Sequence, residues 1–146
     1  MAVLLDTHNL TVTYTTKKVP PMDGAFLSRA KDTILKKKYE LSVICVGQDA
    51  MRKINLEYRN IDKPTDILSF PIDTDVNSGV GEIYLCFDMI EKKAKVFHIT
   101  QKEYLEYVLV HGMIHLLGHD HGEHMDTLEK KYTRRLHILY PYRYTK

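Results

Sequence analysis

The chain has 146 residues, of which 44% are hydrophobic and 27% charged, and its formal net charge is +2 at pH 7. This composition is typical of an ordinary globular protein that can bury a core, and we expect a single domain over residues 1–146. No segment approaches the roughly 18 consecutive apolar residues of a membrane span, and no cationic region precedes an apolar run at the N-terminus. We therefore expect a cytoplasmic protein, and the modest net charge does not by itself indicate a nucleic-acid-binding protein.

The first two thirds of the chain combine strand and helix patterns. The segment LTVTYTT, residues 10–16, alternates apolar and polar side chains, which predicts a strand with one solvent-facing side. Met51, Ile54 and Tyr58 form the expected inward stripe of a later helix. The other elements predicted here are, in chain order, a helix over 23–38, a strand over 40–47, a helix over 49–58, and strands at DILSFPI and GEIYLCF.

The last third of the chain is predicted to be helical, with helices over 89–98, from Thr100 to Gly118, and over 123–139. The sequence TQKE at Thr100 is a capping box, in which Glu103 lies three residues after the cap. Strands early in the chain and helices at its end predict an α+β fold, a mixed sheet covered by helices.

Two cysteines, Cys45 and Cys86, each lie inside an apolar run. A small buried side chain is the expected role for such a cysteine, rather than a disulfide or a metal ligand.

The stretch HGMIHLLGHDHGEH contains five of the eight histidines. His111 and His115 are four residues apart, so their rings project from one helix face about 6 Å from each other. A continuous helix would carry His119 about 12 Å from His111, too far to share one ion at bond lengths of about 2 Å. Gly118 can adopt the left-handed conformation that ends a helix and lets the chain turn back. The spacing therefore predicts that His121 binds the same ion as His111 and His115.

A site of three imidazoles is of the catalytic kind, because a tetrahedral zinc with three protein ligands keeps one position for water. We expect one Zn²⁺ per chain, although imidazole also suits Ni²⁺ and other divalent metals. His119 and His124 are expected to lie near the site or in solvent without binding the ion. Asp120 could orient a ligand ring by accepting its second N–H.

The same histidine spacing occurs in the metzincin proteases, whose pattern is H-E-x-x-H-x-x-G-x-x-H, but here Gly112 replaces the glutamate. In those enzymes the carboxylate takes a proton from the metal-bound water and passes it to the leaving amine. Either another acid, such as Glu123, supplies that function, or the reaction does not need it. Gly112 therefore disfavours peptide hydrolysis.

Two separated motifs resemble those of the YbeY family, bacterial ribosomal RNA maturation factors described as metal-dependent single-strand endoribonucleases. One motif is HGMIHLLGHDH. The other is NLEYRNIDKPTDILSFP, residues 55–71, which is followed by the matching strand GEIYLC. The resemblance extends from about residue 49 to residue 121.

The resemblance implies an α+β fold with a four-stranded mixed sheet, zinc bound by His111, His115 and His121, and Arg59 facing the metal cleft. It implies a zinc-dependent endoribonuclease acting on single-stranded RNA in ribosomal RNA maturation and ribosome quality control. Zinc and a guanidinium could stabilise the negative charge that develops on a phosphodiester during attack. The alternative is a noncatalytic ribosome-assembly factor in which the metal fixes the helix break.

The implied partners are ribosomal RNA precursors and ribosomal subunits, with ribosomal or GTPase assembly factors as further candidates, and neither DNA nor a membrane. RNA binding would fit the clustered lysines and arginines and the tyrosines Tyr140, Tyr142 and Tyr144, which we expect to be exposed for base stacking. Asp66 is expected to fix a loop and Ser69 to be the polar position of a strand, and neither is assigned a catalytic role.

Overall fold

The computed structural model describes residues 1–73, 79–118 and 123–141. The described ranges contain five strands and five helices. In chain order these are β1 (Ala2–Thr7), β2 (Leu10–Tyr14), α1 (Gly24–Ile34), β3 (Glu40–Cys45), α2 (Gln48–Arg59), β4 (Ile67–Asp73), β5 (Val80–Leu85), α3 (Phe87–Phe97), α4 (Gln101–Leu116) and α5 (Glu123–Arg135).

The strands form one mixed sheet in the order β1-β2-β3-β5-β4. Strands β2, β3 and β5 are parallel, and an antiparallel strand flanks them on each side. The predicted α+β fold with a mixed sheet is confirmed, but the expected number of four strands is wrong because β1 is a fifth. The sequence AVLLDT lacks the alternation of a half-buried strand, and its residues are exposed or only half-buried. It forms a strand because Asn9, at φ 68°, turns the chain back so that β1 pairs with β2.

The main core lies between one face of the sheet and helices α1, α3, α4 and α5. Alternate residues of the central strands point into it, as Leu41 and Val43 do in β3 and Ile83 and Leu85 do in β5. Helix α4 is the central helix of this layer, since ten of its 16 residues are buried and it packs against α1, α3, α5 and β4.

A smaller cluster lies between the opposite face of the sheet and α2, where Met51 packs with Val46, Leu68 and Cys86. The predicted inward stripe of α2 is wrong at Tyr58, which is 63% exposed. Met51 is fully buried and Asn55 takes the second buried position of this helix. The Asn55 amide donates to the Lys63 carbonyl at 2.8 Å and so holds the chain that leads into β4.

The predicted limits of α4 are confirmed at both ends. Thr100 and Glu103 form the reciprocal capping box, in which each side chain accepts a hydrogen bond from the other residue's backbone N–H. The helix ends at Leu116, and Gly118 follows with φ 93°, a conformation that glycine adopts without strain. No helix in the described ranges is both long and apolar enough to cross a membrane.

Both cysteines are buried, as their apolar surroundings predict. Burial raises the pKa of the Cys45 thiol to about 12, and it also raises the pKa of Cys86. The nucleophilic thiolate is therefore scarce at both positions.

We expect neither cysteine to react with a thiol reagent such as iodoacetamide at about pH 8 while the protein is folded, because the thiols are shielded and protonated. Mass spectrometry should find unmodified native protein and two modifications after denaturation in urea. Rapid labelling of native protein at either cysteine would contradict the burial described above.

Candidate metal centre

Helix α4 and strand β4 approach each other closely at Gly112. A Cβ atom at this position would lie 2.5 Å from Ile67 Cδ1 and 3.0 Å from Ser69 Oγ. The Ser69 hydroxyl donates to the Gly112 carbonyl at 3.0 Å. The absence of a side chain at residue 112 allows the helix to approach the strand, and the hydrogen bond from Ser69 holds the two together. Ser69 therefore has a structural role beyond that of a polar strand position.

This contact explains why residue 112 is a glycine. A side chain at residue 112 would begin inside the volume occupied by the Ile67 side chain and close against Ser69 Oγ, so a glutamate there would require these side chains to move. The position that carries the proton-transferring acid in metzincins is therefore used here for packing between α4 and β4.

A cleft of about 600 Å³ lies along α4 and β4. Its lining includes the cations Arg59 and Lys93, the carboxylate of Asp66, and the two histidines His111 and His115. Asp66 is occupied by donors, because Oδ1 accepts from the Ile67 backbone N–H at 2.8 Å and Oδ2 accepts from the Tyr104 hydroxyl at 2.5 Å. Asp66 thus fixes the entry to β4, as expected, and the two side-chain cations make the cleft attractive to an anion.

The rings of His111 and His115 converge at the end of α4. Their Nε2 atoms are 3.1 Å apart, and the ring planes are at 81° to each other. Two nitrogens that bind one tetrahedral ion at about 2 Å are separated by roughly 3.3 Å. The geometry of these two described side chains therefore fits a shared metal ion.

The other nitrogen of the His111 ring contacts a buried acid. His111 Nδ1 is 3.0 Å from Glu129 Oε1 on α5, and Glu129 is 2% exposed. The Tyr107 hydroxyl donates to the same carboxylate at 2.8 Å. Tyr107 lies one helical turn before His111, so both residues reach Glu129 from the same side of α4.

Several predicted residues lie outside the described ranges, namely His119, Asp120, His121 and the side chain of Glu123. Within the described ranges, no group of three metal-binding side chains is present. The third ligand, His121, and the orienting role of Asp120 therefore stay predictions. His124, expected not to bind the ion, is exposed near the start of α5.

Arg59 is the last residue of α2 and lines the cleft, and the catalytic role that the resemblance implies for it stays a prediction. The expected exposure of Tyr140 is wrong, because this residue is 7% exposed and its ring packs against Tyr107. Tyr142 and Tyr144 lie outside the described ranges. The lysines and arginines of the clusters at 36–38, 92–95 and 130–135 are exposed.

Sequence reasoning missed Glu129, although a signal was present. Met125, Tyr132 and Leu136 recur at helical spacing and are buried. Glu129 lies on the same stripe, and an acid on an otherwise apolar helix face requires a buried partner. The partner could not be identified without knowing how α5 packs on α4.

The fold is shared with a solved structure, the solution structure of TM1509 from Thermotoga maritima. The two have a TM-score of 0.59 and 30% sequence identity, and the match covers 87% of this chain and 88% of TM1509. The likeness therefore extends over most of both chains.

Residues 10–138 match the family model described as endoribonuclease YbeY. Curated proteins named endoribonuclease YbeY are also similar. The protein of Aliarcobacter butzleri is 40% identical over 70% of this chain and 76% of its own length. The protein of Thermotoga neapolitana is 38% identical over 77% of this chain and 74% of its own length. The chain belongs to the endoribonuclease YbeY family.

The packing at Gly112 predicts a loss of stability on substitution. We expect Gly112→Ala to lower the free energy of unfolding by about 1–3 kcal/mol, because the added methyl overpacks the contact with Ile67. This loss should outweigh the gain of about 1 kcal/mol in helix propensity. Urea denaturation followed by circular dichroism measures the difference.

Gly24→Ala is the matched control, because a Cβ there would meet only Leu5, at an ordinary 3.5 Å. This variant should be as stable as the wild type or slightly more stable. A Gly112→Ala variant that is as stable as Gly24→Ala would contradict the close approach of α4 to β4.

Proposed function

We propose that this chain is a zinc-dependent endoribonuclease that hydrolyses phosphodiester bonds of single-stranded RNA. The observation that carries the proposal is the pair of converging histidine nitrogens, 3.1 Å apart, in a cleft that Arg59 and Lys93 also line. Membership of the endoribonuclease YbeY family supports the reaction class. We further propose a cytoplasmic role in ribosomal RNA maturation and ribosome quality control.

One zinc ion would be held by His111, His115 and His121. Bound there, zinc would lower the pKa of a coordinated water to about 7 and polarise a phosphoryl oxygen. Hydroxide would then be available near neutral pH without the glutamate that Gly112 replaces. Ni²⁺ or another divalent metal is compatible with the same ligands.

The cations of the cleft would bind the substrate's phosphate. The guanidinium of Arg59 can donate two parallel hydrogen bonds to nonbridging oxygens, and the ammonium of Lys93 adds a positive charge in the same cleft. Negative charge grows on these oxygens during attack at phosphorus, so donors already in position stabilise the transition state more than the ground state.

The acids described around the cleft give no support to peptide hydrolysis. The Glu129 carboxylate contacts Nδ1 of His111, the ring nitrogen that does not face His115. Asp66 is engaged by Tyr104 and the β4 backbone. Both carboxylates thus have structural hydrogen bonds, while the cations suit an anionic substrate.

Two aromatic rings near the cleft, one half-buried and one exposed, suit unpaired bases. Phe70 lines the cleft, and its ring centroid is 5.0 Å from that of Tyr58, which is adjacent to Arg59 in sequence and 63% exposed. Aromatic rings beside cations are the usual means of binding single-stranded RNA. The substrate would be a ribosomal RNA precursor, free or within ribosomal subunits, with ribosomal or GTPase assembly factors as further partners.

The catalytic proposal predicts that His115→Ala loses RNA cleavage. Removing one imidazole weakens the metal centre without altering the cations of the cleft. Wild-type and variant proteins, supplied with Zn²⁺, are incubated with a labelled single-stranded RNA, and the products are separated by gel electrophoresis. His8→Ala, in the turn at the opposite edge of the sheet, is the matched control and should cleave like the wild type.

Equal cleavage by the wild type and His115→Ala would indicate a contaminating nuclease and contradict the catalytic proposal.

Arg59→Ala tests the remaining alternative, a noncatalytic assembly factor with a structural metal. If that alternative holds, chelation lowers the Tm while folded Arg59→Ala protein supports normal ribosomal RNA processing in cells. We expect instead a processing defect.

The stacking proposal predicts that Tyr58→Ala weakens binding of single-stranded RNA by about 1–3 kcal/mol, the usual contribution of one stacked base. Tyr58→Phe should bind like the wild type, because the ring is retained. Fluorescence anisotropy with a labelled oligonucleotide measures the affinities. Leu56→Ala, at another exposed apolar residue of α2, controls for the helix surface. Equal affinity of all variants would refute a role for this ring.

A further inference from the structure

We propose that Glu129 is a positioning residue that fixes the ring of His111 in the tautomer able to bind the metal. The inference rests on the metal centre under Proposed function and adds a residue from a different helix. The carboxylate holds the proton on Nδ1, so that Nε2, which faces His115, would be the nitrogen that binds a metal ion.

The hydrogen-bonding capacity of the groups leads to this assignment. An ionised carboxylate has only acceptors, so the ring nitrogen 3.0 Å from Glu129 Oε1 must be the donor. A neutral imidazole has one N–H, so Nε2 then carries the lone pair that a metal ligand needs. The contact thus selects one of the two tautomers of His111.

The surroundings of Glu129 favour an oriented carboxylate. A buried charge is stable only when hydrogen bonds replace its lost hydration. Glu129 is 2% exposed, and it accepts from the Tyr107 hydroxyl at 2.8 Å through Oε1 and at 3.2 Å through Oε2. With Tyr107 and His111 both donating, the carboxylate cannot rotate away from the imidazole without breaking bonds to both.

The same contact joins two parts of the chain around the predicted site. Glu129 belongs to α5, while Tyr107 and His111 belong to α4. Residues 119–122, which include His121, are the short connection between Gly118 and the start of α5. The contacts of Glu129 with Tyr107 and His111 thus tie α5 to α4.

The test measures two properties of the wild type, Glu129→Gln and Glu129→Ala. Zinc affinity is determined by competition with a chromophoric chelator. The tautomer of His111 is determined in the metal-free protein by long-range ¹H–¹⁵N correlation NMR, a readout that general destabilisation would not change. Thr133→Val is the matched control, because its buried hydroxyl donates to the Glu129 backbone carbonyl but not to the carboxylate.

We expect the wild-type His111 to carry its proton on Nδ1. Glu129→Ala should give a mixture of tautomers and bind zinc about 10–100-fold more weakly, the usual effect of losing such a partner. Glu129→Gln keeps a carbonyl acceptor of the same shape, so it should retain the tautomer and lose less affinity. Thr133→Val should resemble the wild type in both measurements.

The outcomes separate this inference from the metal centre itself. A wild-type protein that binds no zinc overturns the metal centre and the role of Glu129 with it. Zinc binding by the wild type with equal affinity in both Glu129 variants overturns the role of Glu129 alone. A proton on Nε2 of wild-type His111, or an equal loss of affinity in Thr133→Val, also overturns it. If Glu129→Ala does not fold, the zinc affinity of Glu129→Gln and the tautomer of wild-type His111 still test the role of Glu129.

Discussion

The close approach of α4 to β4 at Gly112 is the constraint on which the rest of the site depends. The hydrogen bond from Ser69 to the Gly112 carbonyl and the absence of a side chain bring the helix against the edge strand of the sheet. Residue 112 is about 100° around the helix from residue 111, so this contact also determines where the imidazole face of α4 points. His111 and His115 consequently line the cleft beside β4. A larger residue at 112 would have to displace the side chains of Ile67 and Ser69, which line the same cleft as the two histidines.

The acids of the described ranges are placed differently from the catalytic acid of a metal-dependent peptidase with similar histidine spacing. Peptide hydrolysis needs a carboxylate that moves a proton to a poor leaving group. Here the position of that glutamate is Gly112, which packs against β4. The buried acid Glu129 contacts the side of the His111 ring that faces away from His115. In our account this acid orients the proposed metal ligand His111, while Arg59 and Lys93 bind the negatively charged phosphate of the substrate. The same histidine pair can thus support chemistry on a phosphodiester.

The sequence predicted those features that depend on neighbouring residues. The capping box at Thr100, the end of α4 before Gly118 and the convergence of His111 and His115 follow from local backbone preferences and helical periodicity. Features that depend on distant residues were missed or wrong. Strand β1 forms only by pairing with β2. Tyr58 is exposed because Asn55 takes the buried position of α2. Tyr140 is buried because its ring packs against Tyr107. Glu129 was visible as an acid on an apolar stripe, but its partner His111 lies on another helix.

The central claim is that three histidines of this chain hold one metal ion. The most direct test is metal analysis of protein purified without a histidine tag, combined with X-ray absorption spectroscopy at the edge of the metal found. Our account predicts one divalent ion per chain, expected to be zinc, with three imidazole nitrogens at about 2.0–2.1 Å. Protein that retains no metal and binds none on addition, or an ion without histidine ligands, would contradict it.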